Sequence, residues 1–352
     1  MALNNKLSMY PMTMEQCAIA RYSSLLKDFT LGHCMIPSHF ALFDKDISFL
    51  DGGETANIIL SDYTDEKLEQ SDALFLDYGN NPKKDGLYED IIRYANNLGK
   101  KVFISSEFDT GFSDDAIIQS IKYNDILFDI PIPVITVLSQ GDLTNQVAVE
   151  LALRKYFTDE GYKVSQIGSF KSCHLFGFNS IPSFMYEPHD AYEKILYFNH
   201  YVNNLVNIEQ PDLLIIGVSD PIMKFSNRKL QGLGLLPQMI CNAVTSDIIV
   251  ICMYYSEYLP KMFYELSNHC KYRMGCEANF FSLANTIFKS DISLGEVRSK
   301  YISVDSSTVL DSICKHGESD KYHLFNPLTG TSVDKACECI MSMLVRNINR
   351  FA

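Results

Sequence analysis

The chain has 352 residues, 47% of them hydrophobic and 21% charged, and its formal net charge is -13. This composition is typical of folded globular protein, and at roughly 150 residues per domain the length allows two domains. The acidity excludes a general nucleic-acid-binding protein, because that class needs a basic surface to offset the phosphate charge.

The cysteines and the first residues of the chain indicate a compartment. Ten cysteines in a long chain that opens with no basic segment followed by an apolar one predict free thiols in a reducing cytoplasm. No stretch reaches the roughly 18 apolar residues of a membrane helix, so we expect no membrane span.

The first half alternates short apolar segments with helical segments, which predicts a mostly parallel α/β sheet. The predicted strands are KLSMYPM, GHCMIP, ANIILSDY, DALFLDYG and KKVFISSEF. The predicted helices are TMEQCAIARYSSLLKDF, which Thr13 opens, residues 86–97, and SDDAIIQSIKY. The acidic run DYTDEKLEQSD is predicted to be a solvated connection or a helix.

A second α/β series follows two prolines in FDIPIPV, which indicate a junction. We therefore predict two layered α/β domains with mostly parallel sheets: a Rossmann-like domain over residues 1–130 and a P-loop-NTPase-like domain over residues 131–352. The strands predicted in the second domain are residues 134–138, YKVSQIG, PDLLIIGVS, SDIIVICMY, ANFFSLAN and KYISVD. Its predicted helices cover residues 143–160, 191–206 and 258–270 and the closing segment SVDKACECIMSMLVRNINRF, whose apolar residues fall on one face.

The segment VITVLSQGDLTNQVAVELALRKYF has the strand–loop–helix layout of a phosphate-binding P-loop. In a working P-loop, backbone N–H groups and a lysine hold the phosphates, and a serine or threonine hydroxyl binds magnesium. SQGDLTNQV has the nine-residue length of the dethiobiotin-synthetase-type loop GxxxxxGKT. That alignment puts Gln146 at the lysine position and Val147 at the hydroxyl position, and Asp142 adds negative charge.

These replacements remove the charge-assisted contacts, so the loop predicts P-loop ancestry without nucleotide binding and no cofactor is expected. The alternative is a repurposed site that binds nucleotide or phosphate weakly and without magnesium-dependent hydrolysis. Seven loop residues would form that site: Ser139, Gln140, Gly141, Asp142, Thr144, Asn145 and Gln146.

The segment SFKSCHLFGFNSIPSFMY follows the next predicted strand, where loops of P-loop proteins face the ligand. Lys171 could there supply the positive charge that Gln146 lacks. A partly buried recognition loop is favoured over catalysis by a Cys173–His174 pair, whose adjacent side chains need not meet. The predicted recognition residues are Ser169, Cys173, His174, Phe176 and Phe178, with Phe184 nearby.

Other chemically suggestive residues are assigned structural roles. Asp220 follows an apolar strand at the place of a magnesium-linked acid, but a turn or cap role is favoured. The spacing of Cys270, Cys276, Cys337 and Cys339 does not suit zinc and favours structural thiols. The loop that contains Arg228 and Lys229 is predicted to be either a mobile loop near the crevice or a plain connection.

Several segments resemble a known family, the clostridial peptide-maturation-system proteins, which are encoded beside a radical-SAM enzyme and a small bacteriocin-like precursor peptide. The matching segments are MYPMTMEQCAIARYSSLLKDF, EGYKVSQIGSFKSCHLFGFNSIPSFMY, ILYFNHYVNNL and PDLLIIGVSDPIM. The resemblance covers most of the chain and is strongest over residues 134–223. Members of the family often carry a lysine at the Gln146 position, so this chain departs from them there.

The resemblance implies a cytoplasmic accessory protein in the maturation of a ribosomally synthesised peptide. Its implied partners are the precursor peptide and the radical-SAM enzyme, with no nucleic acid and no membrane; a homo-oligomer stays open. The chain lacks a CxxxCxxC motif and so does not resemble the radical enzyme itself. The competing hypothesis is a nucleotide-dependent ligase or transferase related to dethiobiotin synthetase, in which Lys171 replaces the P-loop lysine. Gln146 and Val147 favour the accessory role.

Overall fold

The computed structural model describes residues 5–77, 86–105, 125–227, 230–293, 296–316 and 321–351. These residues form two compact units. The first contains the described residues up to 105 and the segment Lys171–Phe178, and the second contains the described residues 125–170 and 179–351. Parallel sheets of five and seven strands alternate with helices along the chain. The predicted fold class, layered α/β with mostly parallel sheets, is confirmed.

The first unit is built on a five-stranded sheet with the order β3-β2-β1-β4-β5, in which every neighbouring pair is parallel. Its strands are β1 (Lys6–Tyr10), β2 (Thr30–Ile36), β3 (Leu60–Asp62), β4 (Ala73–Leu76) and β5 (Lys101–Ile104). Its helices are α1 (Met14–Arg21), α2 (Ser48–Asp51), α3 (Asp65–Glu69) and α4 (Gly86–Asn97). All residues of β4 are buried, as the continuous apolar run of a central parallel strand requires.

Helix α1 begins where the sequence predicts but ends earlier. The backbone N–H of Thr13 donates to Gln16 Oε1 at 2.8 Å, half of a capping box that starts the helix. The helix was expected to continue to Phe29, but it ends at Arg21 and a short 3₁₀ turn, Ser23–Leu25, follows. Serine hydroxyls compete for backbone hydrogen bonds and favour such turns over a helix interior.

The seven-stranded sheet of the second unit has the order β14-β11-β10-β6-β9-β7-β8, and all its neighbouring pairs are parallel. Its strands are β6 (Val134–Ser139), β7 (Val164–Gly168), β8 (Asn179–Ser180), β9 (Leu213–Pro221), β10 (Ile248–Met253), β11 (Ala278–Leu283) and β14 (His323–Phe325). The helices of the unit are α5 (Gln146–Asp159), α6 (Ala191–Glu209), α7 (Leu235–Ala243), α8 (Pro260–Met274), α9 (Ser306–His316) and α10 (Gly330–Phe351). Helix α10 buries Val333, Cys337 and Ile340, which confirms the apolar face predicted for the closing helix.

Two strands of the second unit form an antiparallel hairpin outside the parallel sheet: β12 (Thr286–Ser293) and β13 (Glu296–Ser303). The sequence predicts only a strand at KYISVD, and β12, α9 and β14 were missed. Strand β12 pairs only with β13, and its sequence TIFKSDIS mixes polar and apolar residues. It therefore lacks the apolar run by which a buried strand is recognised. The predicted helix SDDAIIQSIKY lies outside the described residues.

No helix in the described part of the chain combines the length and the apolar character needed to cross a membrane.

Within the first unit, a buried ion pair joins α1 to α2. Arg21 donates to both carboxylate oxygens of Asp51, from Nε at 2.7 Å and from Nη2 at 2.8 Å. The side chains are 12% and 1% exposed. Asp51 Oδ1 also accepts the backbone N–H of Gly53 at 2.9 Å. Removal of the guanidinium would leave a buried carboxylate without its main partner.

We expect Arg21→Met to destabilise the first unit by about 3 kcal/mol, because an uncompensated buried charge costs far more than a surface pair gains. Urea denaturation followed by circular dichroism measures the loss. Arg93→Met is the matched control in the same unit, since Arg93 pairs with Asp90 at the surface with both side chains 69% exposed. Equal effects of the two substitutions would contradict the importance of the buried pair.

Candidate functional site

The strand–loop–helix at the centre of the second sheet has the backbone frame that the sequence predicts. Strand β6 ends at Ser139 and helix α5 begins at Gln146. Leu143 and Asn145 in the connecting loop have left-handed backbone, with φ of 57° and 55°. Asn145 cannot continue a helix in that conformation, so α5 starts at the next residue. The Thr144 hydroxyl is buried and donates to the carbonyl of Gly141 at 3.1 Å, which closes the loop on itself.

Gln146, at the lysine position, is bonded to the sheet. Its Nε2 donates to the carbonyl of Val137 at 3.1 Å and to the carbonyl of Val218 at 2.9 Å. These carbonyls belong to the neighbouring strands β6 and β9, where the ladder between them is irregular, since Val137 pairs with Gly217 but Ser139 pairs with Pro221. A bulge leaves backbone groups unpaired, and both amide hydrogens of Gln146 satisfy them. The side chain therefore holds two strands together.

One helical turn after Gln146, the carboxyl group of Glu150 is fully buried between α5 and the sheet. The hydroxyl of Ser169 donates to Glu150 Oε1, and the backbone N–H of Ser169 donates to Oε2 at 3.1 Å. A Cβ at Gly217 would overlap this carboxyl group, so the strand beneath needs a glycine. Burial raises the pKa of Glu150 to about 7, although the hydrogen bonds from Ser169 act in the opposite direction.

At the mouth of the loop, two carboxylates lie near each other. Asp142 is exposed and accepts a hydrogen bond from the Tyr301 hydroxyl at 3.2 Å. Burial and the charge of Asp142 raise the pKa of Asp220. Asp220 lies within β9 rather than in the turn or cap predicted for it, because the strand runs on past the bulge to Pro221. Gly232, with φ of 68°, brings its backbone against Asp220, and a Cβ there would lie 2.5 Å from Oδ2.

Aromatic side chains form a wall beside this mouth. Tyr254 follows β10 and stacks on Phe288 of the hairpin with ring centroids 5.2 Å apart. Phe288 also meets the edge of Phe225 at 4.5 Å and lies 5.4 Å from Tyr301. The Tyr254 hydroxyl approaches Gly141 so closely that a Cβ at that position would overlap it. Position 141 therefore accepts only glycine with the wall in this place.

The remaining loop residues hold their surroundings in place. Gln140 Oε1 accepts the Tyr258 hydroxyl at 3.0 Å and the backbone N–H of Tyr254 at 3.3 Å. The Ser139 hydroxyl is buried, and no described residue forms a hydrogen bond with it. Asn145 Oδ1 accepts the backbone N–H of Asn285 at 2.8 Å. Side chains of the predicted anion loop thus bond residues that follow β10 and β11.

A buried asparagine network that the sequence analysis missed extends from this last contact. Asn285 Nδ2 donates to the Ser306 hydroxyl at 2.9 Å, and Asn326 Nδ2 donates to Asn285 Oδ1 at 2.6 Å. Asn285 and Asn326 are fully buried. The network ties the start of α5 to the ends of β11 and β14. Its sequence signal is an asparagine within two residues of the end of each of two apolar strands, in ANFFSLAN and HLFN.

The predicted recognition loop is divided between the two units. Lys171 is exposed and begins a 3₁₀ helix, Lys171–Phe176, that belongs to the first unit. Phe176 and Phe178 in this segment are buried and stack with centroids 5.9 Å apart, and Cys173 is also buried. The backbone N–H of Lys27 donates to the carbonyl of Leu175 at 3.0 Å.

These aromatic side chains therefore fill a core. Phe184 is fully buried in the core of the second unit. His174 is partly buried and follows the buried Cys173 in the sequence. Ser169 lies in the second unit, where it bonds Glu150. Arg228 and Lys229 lie outside the described residues.

Among the residues that the structure describes, no group of three or more histidine, cysteine, aspartate and glutamate side chains is placed to hold a metal ion. Cys270 and Cys337 are buried within apolar surroundings, and Cys276 and Cys339 are partly buried. Burial raises the pKa of Cys337 to about 12, so its thiol stays protonated at neutral pH.

Comparison with solved structures finds a likeness over the whole chain to a DUF1611 family protein from Anabaena variabilis. The TM-score is 0.57 at 9% sequence identity, and the match covers 97% of this chain and 100% of that one. At this identity the likeness shows the fold alone. A pseudomurein peptide ligase type C from Methanothermus fervidus matches with a TM-score of 0.28 at 10% identity, over 84% of this chain and 53% of that one. A GTPase from Pyrococcus abyssi matches with a TM-score of 0.26 at 12% identity, over 43% of this chain and 66% of that one.

The last two scores are too low to carry an argument about this chain. No protein-family model matches the sequence, and no curated protein matches it significantly. The resemblance to the clostridial peptide-maturation-system proteins receives no support from these comparisons and stays a prediction.

The buried Glu150 predicts a specific dependence of stability on pH. A carboxyl group whose pKa is higher in the folded state than in the unfolded chain favours folding at low pH. Its contribution therefore falls as pH rises from about 4.5 to about 7 and is constant above that range. The size of this change is on the order of 3 kcal/mol.

We expect Glu150→Gln to remove this pH dependence. The free energy of unfolding of the variant, relative to that of the natural protein, should therefore increase from pH 4.5 to pH 7. Denaturant titrations at a series of pH values measure it. Glu160→Gln is the control, since Glu160 is exposed at the end of the same helix. A constant stability difference between Glu150→Gln and the natural protein across this range would refute the assignment.

Proposed function

We propose that this chain is a binding protein that acts as a cytoplasmic accessory in the maturation of a ribosomally synthesised peptide. In this role it binds the precursor peptide, the radical-SAM modifying enzyme or both, without hydrolysing ATP. Its P-loop-like edge serves recognition of a peptide group instead of transfer of a phosphoryl group.

The observation that carries the proposal is the position of Gln146. Both of its amide hydrogens are bonded to the carbonyls of Val137 and Val218, so no donor remains on this nitrogen for a phosphate. Val147 cannot bind magnesium, and Asp142 would repel phosphate at the loop mouth. A phosphoryl-transfer site depends on positive charge at these places.

The peptide-maturation context is supported by the segments that resemble the clostridial family. Three of those four segments contribute residues to the second unit, and one of them, PDLLIIGVSDPIM, contains Gly217, Val218 and Asp220 of the site. The segment PDLLIIGVSDPIM thus supplies both the carbonyl that Gln146 bonds and the acid at the loop mouth, whereas Gln146 itself lies outside the four segments.

A nucleotide-dependent ligase or transferase related to dethiobiotin synthetase is the second candidate. The observation in its favour is the retained backbone frame, with left-handed Leu143 and Asn145 before a helix N-terminus that attracts anions. Its replacement cation, Lys171, begins a segment of the first unit. Under this alternative, Lys171→Ala abolishes nucleotide-dependent release or transfer of phosphate.

Calorimetric titration with ATP and GTP, with and without magnesium, separates the two candidates. We expect no magnesium-dependent binding in the micromolar range, because the groups that recognise the metal and the phosphate charge are replaced. Tight magnesium-dependent binding, or nucleotide turnover that Lys171→Ala removes, would establish the ligase or transferase instead.

Gln146→Ala tests the structural role of the glutamine separately from binding. We expect it to lower the free energy of unfolding by about 2 kcal/mol, since two buried carbonyls lose their donor. Urea denaturation measures the loss. Full stability of the variant would contradict the role given to Gln146.

Co-expression with the adjacent genes tests the partners directly. We expect a tagged form of this chain to retain the precursor peptide or the radical-SAM enzyme through purification, as judged by mass spectrometry. The peptide with a scrambled sequence serves as the control. Retention of neither partner removes the main support for the accessory role.

A further inference from the structure

We propose that the carboxyl-end edge of the second sheet holds a binding site for a lysine or arginine side chain, presented by a peptide segment with apolar residues beside it. This inference deepens the proposed function and rests on it. The site consists of Asp142 and Asp220, the aromatic wall of Tyr254, Phe288 and Tyr301, and an exposed leucine rim defined below.

The two carboxylates give the site the charge that suits a cation. Asp220 is partly buried against the backbone of Gly232, and Asp142 accepts the Tyr301 hydroxyl at 3.2 Å on the same side of the loop. Two like charges in a partly desolvated place repel each other, and a bound ammonium or guanidinium group relieves that repulsion. This is the opposite of the electrostatics that a phosphate-binding loop needs.

The irregularity between β6 and β9 directs Asp220 to this place. Between Val137–Gly217 and Ser139–Pro221 the strand β9 gains two residues over β6, and Asp220 lies in the extra stretch. Bulges next to functional sites commonly redirect a side chain. The Gln146 amide stabilises the bulge through the Val218 carbonyl. The residue at the P-loop lysine position therefore helps to hold Asp220, an acid, at the loop mouth.

The buried hydroxyl of Tyr254 is an observation that is independent of the acids. Tyr254 is 3% exposed, and its hydroxyl lies beside Tyr301 but in a geometry that makes no normal hydrogen bond. The hydroxyl of the neighbouring Tyr301 donates to Asp142. The Tyr254 hydroxyl reaches Gly141, where the Gln231 side chain also approaches. Its oxygen can accept a hydrogen bond from an ammonium or guanidinium N–H.

The aromatic wall suits the same ligand. Cations bind favourably against the faces of aromatic rings, and a flat guanidinium also stacks on them. Phe288 is partly exposed and Phe225 is 40% exposed, so part of this aromatic surface is accessible to solvent. Aromatic faces combined with carboxylates recognise organic cations, whereas a hydrated metal ion would gain little from the rings.

The rim of the site explains why we assign the cation to a peptide. Leu230, Leu233 and Leu235, here called the leucine rim, are 50%, 52% and 56% exposed. They flank Gly232, whose backbone lies against Asp220. Three half-exposed leucines beside two acidic side chains match a basic side chain between apolar neighbours, since apolar residues gain from burial and the basic group pairs with the carboxylates.

The test uses fluorescence anisotropy with short synthetic peptides. The chain has 20 tyrosines but no tryptophan, so a tryptophan at the end of each peptide gives a specific signal when it is excited at a wavelength that tyrosine does not absorb. The probe is acetyl-Leu-Lys-Leu-Trp-amide, its controls carry norleucine or glutamate in place of lysine, and an arginine version is measured beside it. We expect the lysine and arginine peptides to bind more tightly than both controls, with affinity that falls as salt increases.

Asp142→Asn and Asp220→Asn are expected to weaken the lysine peptide by about tenfold each, and to leave the norleucine peptide unchanged. Asp142 is exposed, so its variant keeps the fold even if Asp220→Asn does not. Asp159→Asn is the matched control: it removes the same charge at the far end of α5, about 20 Å along the helix, where Asp159 pairs with Lys155.

The outcomes separate this inference from the accessory role. Unchanged affinity of the lysine peptide in both acid variants, or equal affinity for the glutamate peptide, overturns the cation site even if the pull-down retains the precursor. Selective binding that both acid variants weaken supports the cation site even if no precursor or radical-SAM enzyme is retained. In that case the accessory role fails and the site stands.

Discussion

The central constraint of the second unit is the buried carboxyl group of Glu150 between α5 and the sheet. A carboxyl group in this place needs hydrogen-bond donors and room, and the chain supplies both through Ser169 and Gly217. Since its pKa is raised to about 7, Glu150 exchanges its proton in the neutral range and is far less costly to bury than an ordinary carboxylate. The close approach of α5 to β9 depends on this arrangement.

Gln146 follows from the same constraint. It lies one turn before Glu150 on the helix face that meets the sheet, where a bulge leaves the carbonyls of Val137 and Val218 in need of donors. A lysine at this position could neutralise Glu150. It would, however, place a charged ammonium group where the two neutral carbonyls are now bonded by the amide of Gln146. The loop therefore gains a structural contact at the position where a P-loop keeps its catalytic cation, and negative charge from Asp142 and Asp220 dominates its mouth.

Much of the fold could be predicted from sequence, because buried parallel strands are apolar runs of short length separated by helical periods. The strand–loop–helix at Ser139 to Gln146 was predicted for this reason, and so was α4. The partners of the site could not be predicted. Val218 is 72 residues from Gln146 and Asn285 is 140 residues from Asn145, and single-sequence patterns carry no information on such pairings. Phe176 and Phe178 were misassigned because an aromatic run in a core and one in a recognition loop look alike.

The survival of the loop shape without its chemistry has a physical cause. In this chain the backbone of the loop is held by contacts that involve no phosphate: Asn145 bonds the strand end at Asn285, Gln140 bonds Tyr258, and Thr144 bonds Gly141. Each contact is made inside the second unit and is satisfied without a ligand. The backbone shape of the loop therefore says little about nucleotide binding. The charge at the loop mouth is more informative, because it must complement the ligand. The exposed Asp142 and the partly buried Asp220 give the mouth negative charge, which opposes a phosphate group and suits a cation.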